Sequence, residues 1–154
     1  AWCMDPGGRH RFGTAFLAQI LRRCFPDDEF DEDTLASTSP ATEVDGSNSR
    51  ADIVVRGPGL RLIIEAKVDA AEGWDQCQRL YEDHDHDDAR FVFLTPRGRP
   101  PVSWKGLDGV WVPLSLRWVY DALEQLCAAT GEEREAAAEH SLRSYLATMK
   151  KEFR

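Results

Sequence analysis

Arg50-Ala51-Asp52-Ile53-Val54-Val55-Arg56-Gly57-Pro58-Gly59-Leu60-Arg61-Leu62-Ile63-Ile64-Glu65-Ala66-Lys67 decides how the rest of the chain is arranged. Two β-branched runs flank a Gly-Pro-Gly turn, which is the pattern of a hairpin. Whether the loop is the two residues Pro58-Gly59 or the four from Gly57 to Leu60, paired residue numbers sum to the same value, so Asp52 falls opposite Glu65. Alternation along the strand puts Lys67 on their face as well. Two carboxylates facing each other at roughly 5 Å between Cβ atoms repel unless something positive lies between them. A divalent cation meets that requirement.

The segments after the hairpin extend the pattern. Residues 69–81 are predicted to form a helix in which Trp74, Cys77 and Tyr81 make a core-facing stripe, with Gln76 and Arg79 beside it. Residues 82–88 mix imidazoles and carboxylates but lack any spacing that would converge on one ion, and read as a solvated, helix-terminating acidic loop. Residues 90–95, with the run Phe91-Val92-Phe93-Leu94, read as an interior strand, and the helix before it implies a parallel crossover from the hairpin. Pro96-Arg97-Gly98-Arg99 is then a basic turn at a strand's end, placed either to meet phosphate or to cap the sheet. Residues 109–113 are expected as a last short strand and 116–127 as a helix. A final helix over 130–154 starts at the capping box Thr130-Gly131-Glu132-Glu133 and turns basic at Lys150-Lys151.

Before the hairpin, residues 14–25 show helical apolar spacing at Phe16, Leu17, Ile20, Leu21 and Cys24, stopped by Pro26 and an acidic run. Residues 34–48 are rich in Ser, Thr, Pro and Gly, with 41–44 as a short extended segment. Residues 1–10 read as a flexible leading segment. The order α, β, β, β, α, β and then helices makes an α/β protein with a mixed sheet flanked by helices.

Composition limits the alternatives. A chain of 154 residues supports one core, so 1–154 is expected to be a single domain. No apolar run approaches the ~20 residues a bilayer requires, and the start lacks a basic region followed by an apolar block. Cys3, Cys24, Cys77 and Cys127 show no CxxC pairing and read as reduced core thiols of a cytoplasmic protein. A net charge of −8 speaks against a broad nonspecific nucleic-acid binder. A site that meets one phosphate through a metal needs fewer basic residues, so the charge does not exclude that chemistry.

Asp52, followed by Glu65-Ala66-Lys67 at the end of a hairpin strand, resembles the PD-(D/E)XK nuclease superfamily, most nearly its small bacterial members with Ile-Glu-Ala-Lys before a glutamine-bearing helix. Arg50-Ala51-Asp52 stands where the motif's proline and aspartate would be, without the proline. Relatives often carry Gln-Leu-x-x-Tyr on the next helix, and here the window reads Gln76-Cys77-Gln78-Arg79-Leu80-Tyr81, with the tyrosine one place late. Leu94-Thr95-Pro96-Arg97-Gly98-Arg99 matches a further phrase of the relatives. Their first helix often holds a glutamate; here Gln19 is the polar residue available.

The resemblance implies a restriction-endonuclease-like core and Mg²⁺- or Mn²⁺-dependent hydrolysis of phosphodiester bonds, in DNA first and RNA second. Asp52, Glu65 and the backbone carbonyl of Ala66 would ligate the ion. Lys67 would address the attacking water, Gln76 would steady the site, and Glu43, nine residues before Asp52, would support a second ion or else be a solvated strand residue. Arg50, Arg97 and Arg99 are the candidate nucleic-acid contacts. The alternative is an inactive adaptor on the same fold that binds DNA or a protein partner. Either reading is compatible with a homodimer, and phage defence, mobile-element biology and repair all suit a small nuclease.

Overall fold

The computed structural model describes residues 1–130 and 134–153. Its sheet has five strands side by side in sequence order: β1 (Ser39–Asp45), β2 (Arg50–Gly57), β3 (Leu60–Ala66), β4 (Ala89–Thr95) and β5 (Trp111–Ser115). The first three pair antiparallel, while β3–β4 and β4–β5 are parallel. The hairpin closes at Gly57↔Leu60 around Pro58-Gly59, where Gly59 adopts a φ of +65°, a conformation that suits glycine because it lacks a Cβ. Pro113 lies within β5 but on an edge strand, where a missing N–H costs no ladder bond.

Helices cover both faces. On one, α1 (Ala15–Cys24), α4 (Leu116–Thr130) and α5 (Ala136–Glu152) pack over Val55, Leu62, Ile64, Val92 and Leu114. On the other, α3 (Gln76–His84) lays Cys77 and Leu80 on Val54, Ile63, Phe91, Phe93 and Trp111. Cys77 and Leu80 are wholly buried, and a Leu hidden in this way contributes about 2 kcal/mol. Side chains alternate along β3, so its neighbouring residues look to opposite sides: Leu62 and Ile64 to the three-helix layer, Ile63 to α3.

The expected mixed sheet with flanking helices is present, and several local expectations are corrected. The short helix α2 (Glu32–Ala36) begins at the end of the acidic stretch read as a helix stop. Its N-cap Asp31 accepts from Thr34 N–H at 2.7 Å, and Glu32 and Asp33 suit the positive end of the helix dipole. α3 begins at Gln76, not at 69, because the preceding segment is committed to contacts with a distant loop described below. The last strand runs Trp111–Ser115 in place of 109–113. Residues 1–10, expected to be flexible, are packed: Cys3 and Met4 join the three-helix core, and the wholly buried His10 accepts from Phe12 N–H through Nδ1 at 3.0 Å. Gly131, Glu132 and Glu133 of the expected capping box lie outside the described residues, and the last helix starts at Ala136. Among the described residues no helix is long and apolar enough to cross a membrane.

Candidate functional site

The hairpin ladder is paired from Gly57↔Leu60 to Ile53↔Ile64, and the next opposed residues in that register are Asp52 and Glu65. Here β2 and β3 part. Ala66 N–H donates not to a strand carbonyl but to Asp52 Oδ2, at 2.8 Å. On its other side β3 continues with its parallel neighbour, Lys67 N–H donating to Leu94 O at 2.8 Å. The two acids therefore sit at a fork between strands, held from one side by a rigid sheet and from the other by a side chain.

Glu65 is wholly buried. Its Oε1 accepts from Lys67 Nζ at 2.7 Å and from Gln76 Nε2, whereas its Oε2 is buried with no hydrogen-bond partner. Burial pushes the Glu65 carboxyl above its ordinary range; the Lys67 hydrogen bond opposes that shift and the Asp52 charge adds to it. A buried oxygen left unsatisfied costs about 1–3 kcal/mol, so an orphan of this kind marks a place where something else belongs. A hard cation suits the donor set: two carboxylates and the Ala66 carbonyl offer only oxygen. Among the described residues no three His, Cys, Asp or Glu side chains gather for a metal, so solvent would complete the coordination of any ion bound here, as Mg²⁺ readily accepts.

Gln76 opens α3, and its orientation is fixed from behind. Gly73 N–H donates to Gln76 Oε1 at 3.1 Å, which turns the amide NH₂ toward Glu65. The helix start is held in turn by Ser103 Oγ, which accepts from Cys77 N–H at 3.1 Å. Ser103 comes from the long β4–β5 connection, and Glu72 anchors that connection. Its Oε2 accepts from Val102 N–H at 2.9 Å and Ser103 N–H at 2.8 Å, and its Oε1 accepts from the Arg99 guanidinium. Burial alone would raise the Glu72 carboxyl, but these donors outweigh it and hold it down to about 2.

The structure thus brings Asp52, Glu65, Lys67 and Gln76 together, with the Ala66 backbone between the acids. Among the described residues no hydrogen bond or ion pair joins the other candidates to these four. Glu43 is in register across from Asp52, since Thr42↔Ile53 and Val44↔Ala51 pair on either side of it, but it has a φ of +51° and an exposed carboxylate 3.6 Å from Arg50. Arg50 is accordingly engaged at the β1 edge. Arg99 is bound to Glu72 and stacks over Phe93 at 5.3 Å from the ring centroid, whereas Arg97 is exposed. Gln19 rides on α1, which packs on the face opposite to α3.

Two readings of the following helix need correction. Trp74, expected in a core stripe, is 84% exposed, because it precedes the helix whose period was assigned to it. Of residues 82–88, Glu82, Asp83 and His84 belong to α3; Asp83 accepts from Asn48 N–H at 2.9 Å and Ser49 Oγ at 2.5 Å, and so pins the β1–β2 turn, while His84 is buried. Sequence reasoning missed Glu72 altogether. Its partners are 27 to 31 residues away, and no local pattern announces them.

No curated protein and no solved structure matches the chain. A family model described as the PD-(D/E)XK nuclease superfamily matches residues 1–147, a span that takes in all five strands, the fork between β2 and β3, and most of the last helix. With this match over nearly its full length and the fold that the match implies, the chain belongs to the PD-(D/E)XK nuclease superfamily.

Proposed function

We propose that this protein is a divalent-metal-dependent nuclease that hydrolyses phosphodiester bonds, in DNA before RNA, at the Asp52–Glu65–Lys67 site. The observation that carries the reading is the wholly buried, unpartnered Glu65 Oε2 beside Asp52 at the strand fork. Asp52, Glu65 and the Ala66 carbonyl would hold the ion. Once bound, Mg²⁺ or Mn²⁺ supplies polarisation of a phosphoryl oxygen and lowers the pKa of an attacking water.

The chain's own groups do the rest. Lys67, with its ammonium 2.7 Å from Glu65 Oε1 and little exposed, supplies positive charge where the phosphate gains negative charge, and orients the water. Gln76 restrains the Glu65 carboxylate, and Gly73 restrains Gln76. An acidic chain of net charge −8 relies on this local site and not on a broad basic face. The second reading, an inactive adaptor on the same fold, has one observation in its favour: Lys67 Nζ already holds Glu65 Oε1 without an ion.

Calorimetric titration with Mn²⁺ and cleavage assays on single- and double-stranded DNA and on RNA separate the two. Under the nuclease reading the wild type binds Mn²⁺ and cuts at least one substrate, and Glu65→Gln or Lys67→Ala abolishes cutting with the unfolding midpoint kept within a few degrees. A monodisperse protein that binds no Mn²⁺ and cuts nothing in the panel leaves only the adaptor.

A further inference from the structure

At 84% exposure Trp74 is the most exposed large apolar side chain among the described residues, yet its surroundings are not those of a loose loop. On one side Gly73 is bonded to Gln76. On the other, Asp75 takes a left-handed φ of +49° and its carboxylate binds Lys105 Nζ at 2.8 Å. The same ammonium lies 5.8 Å from the Trp74 ring centroid. The backbone on both sides of the indole is therefore fixed, and the β4–β5 connection, itself anchored by Glu72, brings a cation to the ring.

Position gives the arrangement its meaning. Trp74 is two residues from Gln76, whose amide touches Glu65, so their Cα atoms are at most ~7 Å apart. A flat π-surface paired with an ammonium, two residues from a side chain of the proposed phosphodiester site, matches what single-stranded nucleic acid presents: a free base face and a flanking phosphate. Bases inside a duplex show their edges and keep their faces stacked, so the indole has no partner there. Val102 and Leu107, 78% and 81% exposed on the same connection, would suit a protein contact; the cation at the ring and the neighbouring proposed metal site favour the nucleotide.

We propose that Trp74 and Lys105 form a stacking subsite for an unpaired nucleobase next to the phosphate held at Asp52 and Glu65, which makes single-stranded or frayed nucleic acid the substrate class. This rests on the nuclease reading of the acid site. The subsite needs no chemistry of its own: the base stacks on the open indole surface, and Lys105 exchanges part of its Asp75 contact for the phosphate.

The test measures affinity in Ca²⁺, without cleavage, by anisotropy of a labelled oligothymidylate and of a blunt duplex. Trp74→Ala should weaken oligothymidylate binding by roughly 5- to 100-fold, Trp74→Phe should restore most of it, and the duplex should change less than about 2-fold. Because the side chain is exposed, both variants should keep the wild-type unfolding midpoint. Oligothymidylate should also quench wild-type tryptophan emission more than that of Trp74→Phe, although the chain has five tryptophans. A Trp74→Ala variant that binds the oligonucleotide as tightly as wild type, or equal losses on strand and duplex, overturns the subsite alone and leaves the indole to a protein partner. A wild type that binds neither probe overturns the nuclease reading and the subsite with it.

Discussion

Replacing Glu72 with Gln removes one negative charge from a carboxylate that receives the Arg99 guanidinium and two backbone N–H groups, and it tests what holds the β4–β5 connection in place. Glu72 is held down to about 2 from an ordinary 4.5. At 1.36 kcal/mol per pKa unit that corresponds to at most ~3.4 kcal/mol of stability at neutral pH. The Arg99 side chain is 46% exposed, and solvent screening there reduces the expected loss to about 2 kcal/mol. The sign follows from linkage. A carboxyl whose folded value is depressed stabilises fully above its unfolded value and loses that contribution as pH falls toward the folded one. The difference between wild type and Glu72→Gln should thus be full at pH 7 and fall to less than about half at pH 3, with most of the change between ~4.5 and 2. Urea unfolding at a series of pH values measures it. A difference below about 0.5 kcal/mol at pH 7, or one that does not shrink on acidification, would refute the reasoning, because the contacts would then contribute nothing through charge.

Gln76→Ala leaves Glu65 Oε1 with Lys67 alone and should lower Mn²⁺ affinity or cleavage by roughly 10- to 100-fold, with the fold intact by circular dichroism; an unchanged rate and affinity would show that Lys67 alone suffices. Burial pushes the thiols of Cys3 and Cys24 up to about 11 and that of Cys77 up to about 12. At pH 8 a thiol reagent should modify no more than the half-buried Cys127 within minutes in native protein and all four cysteines in urea, and fast reaction of two or more in the native state would contradict the buried placement.

The hairpin was legible because two local facts determine it: a Gly-Pro-Gly turn sets the register, and period-two alternation sets the face. The shared face of Asp52, Glu65 and Lys67 follows from those facts alone, whereas the roles expected of them, and of Gln76 on the next helix, came from the family resemblance. What the sequence did not disclose is decided by contacts far apart in the chain. Residues 69–72 carry a fair helical pattern, but Glu72 is taken by Arg99, Val102 and Ser103, and this draws the segment out of the helix. Trp74 was misplaced as a consequence, since its apparent period with Cys77 and Tyr81 counted from a residue outside α3. Tyr81 does lie on that stripe, half-buried against Phe91 and Trp104. Helix α2 is a different kind of miss: Asp31, Glu32 and Asp33 are a sound helix start, but beside Pro26 the acids read only as the stop of the first helix.

The two outer strands bear on how copies of this molecule meet. An unprotected strand edge invites another chain to add on, and continued addition leads to fibres. Here β1 carries Pro40 and the left-handed Glu43, and β5 carries Pro113, so both margins of the sheet are interrupted as templates. Each interruption removes a donor or bends the strand where a newcomer would need an even row of N–H and C=O groups. Both margins of the sheet are thereby poor templates for the addition of another strand.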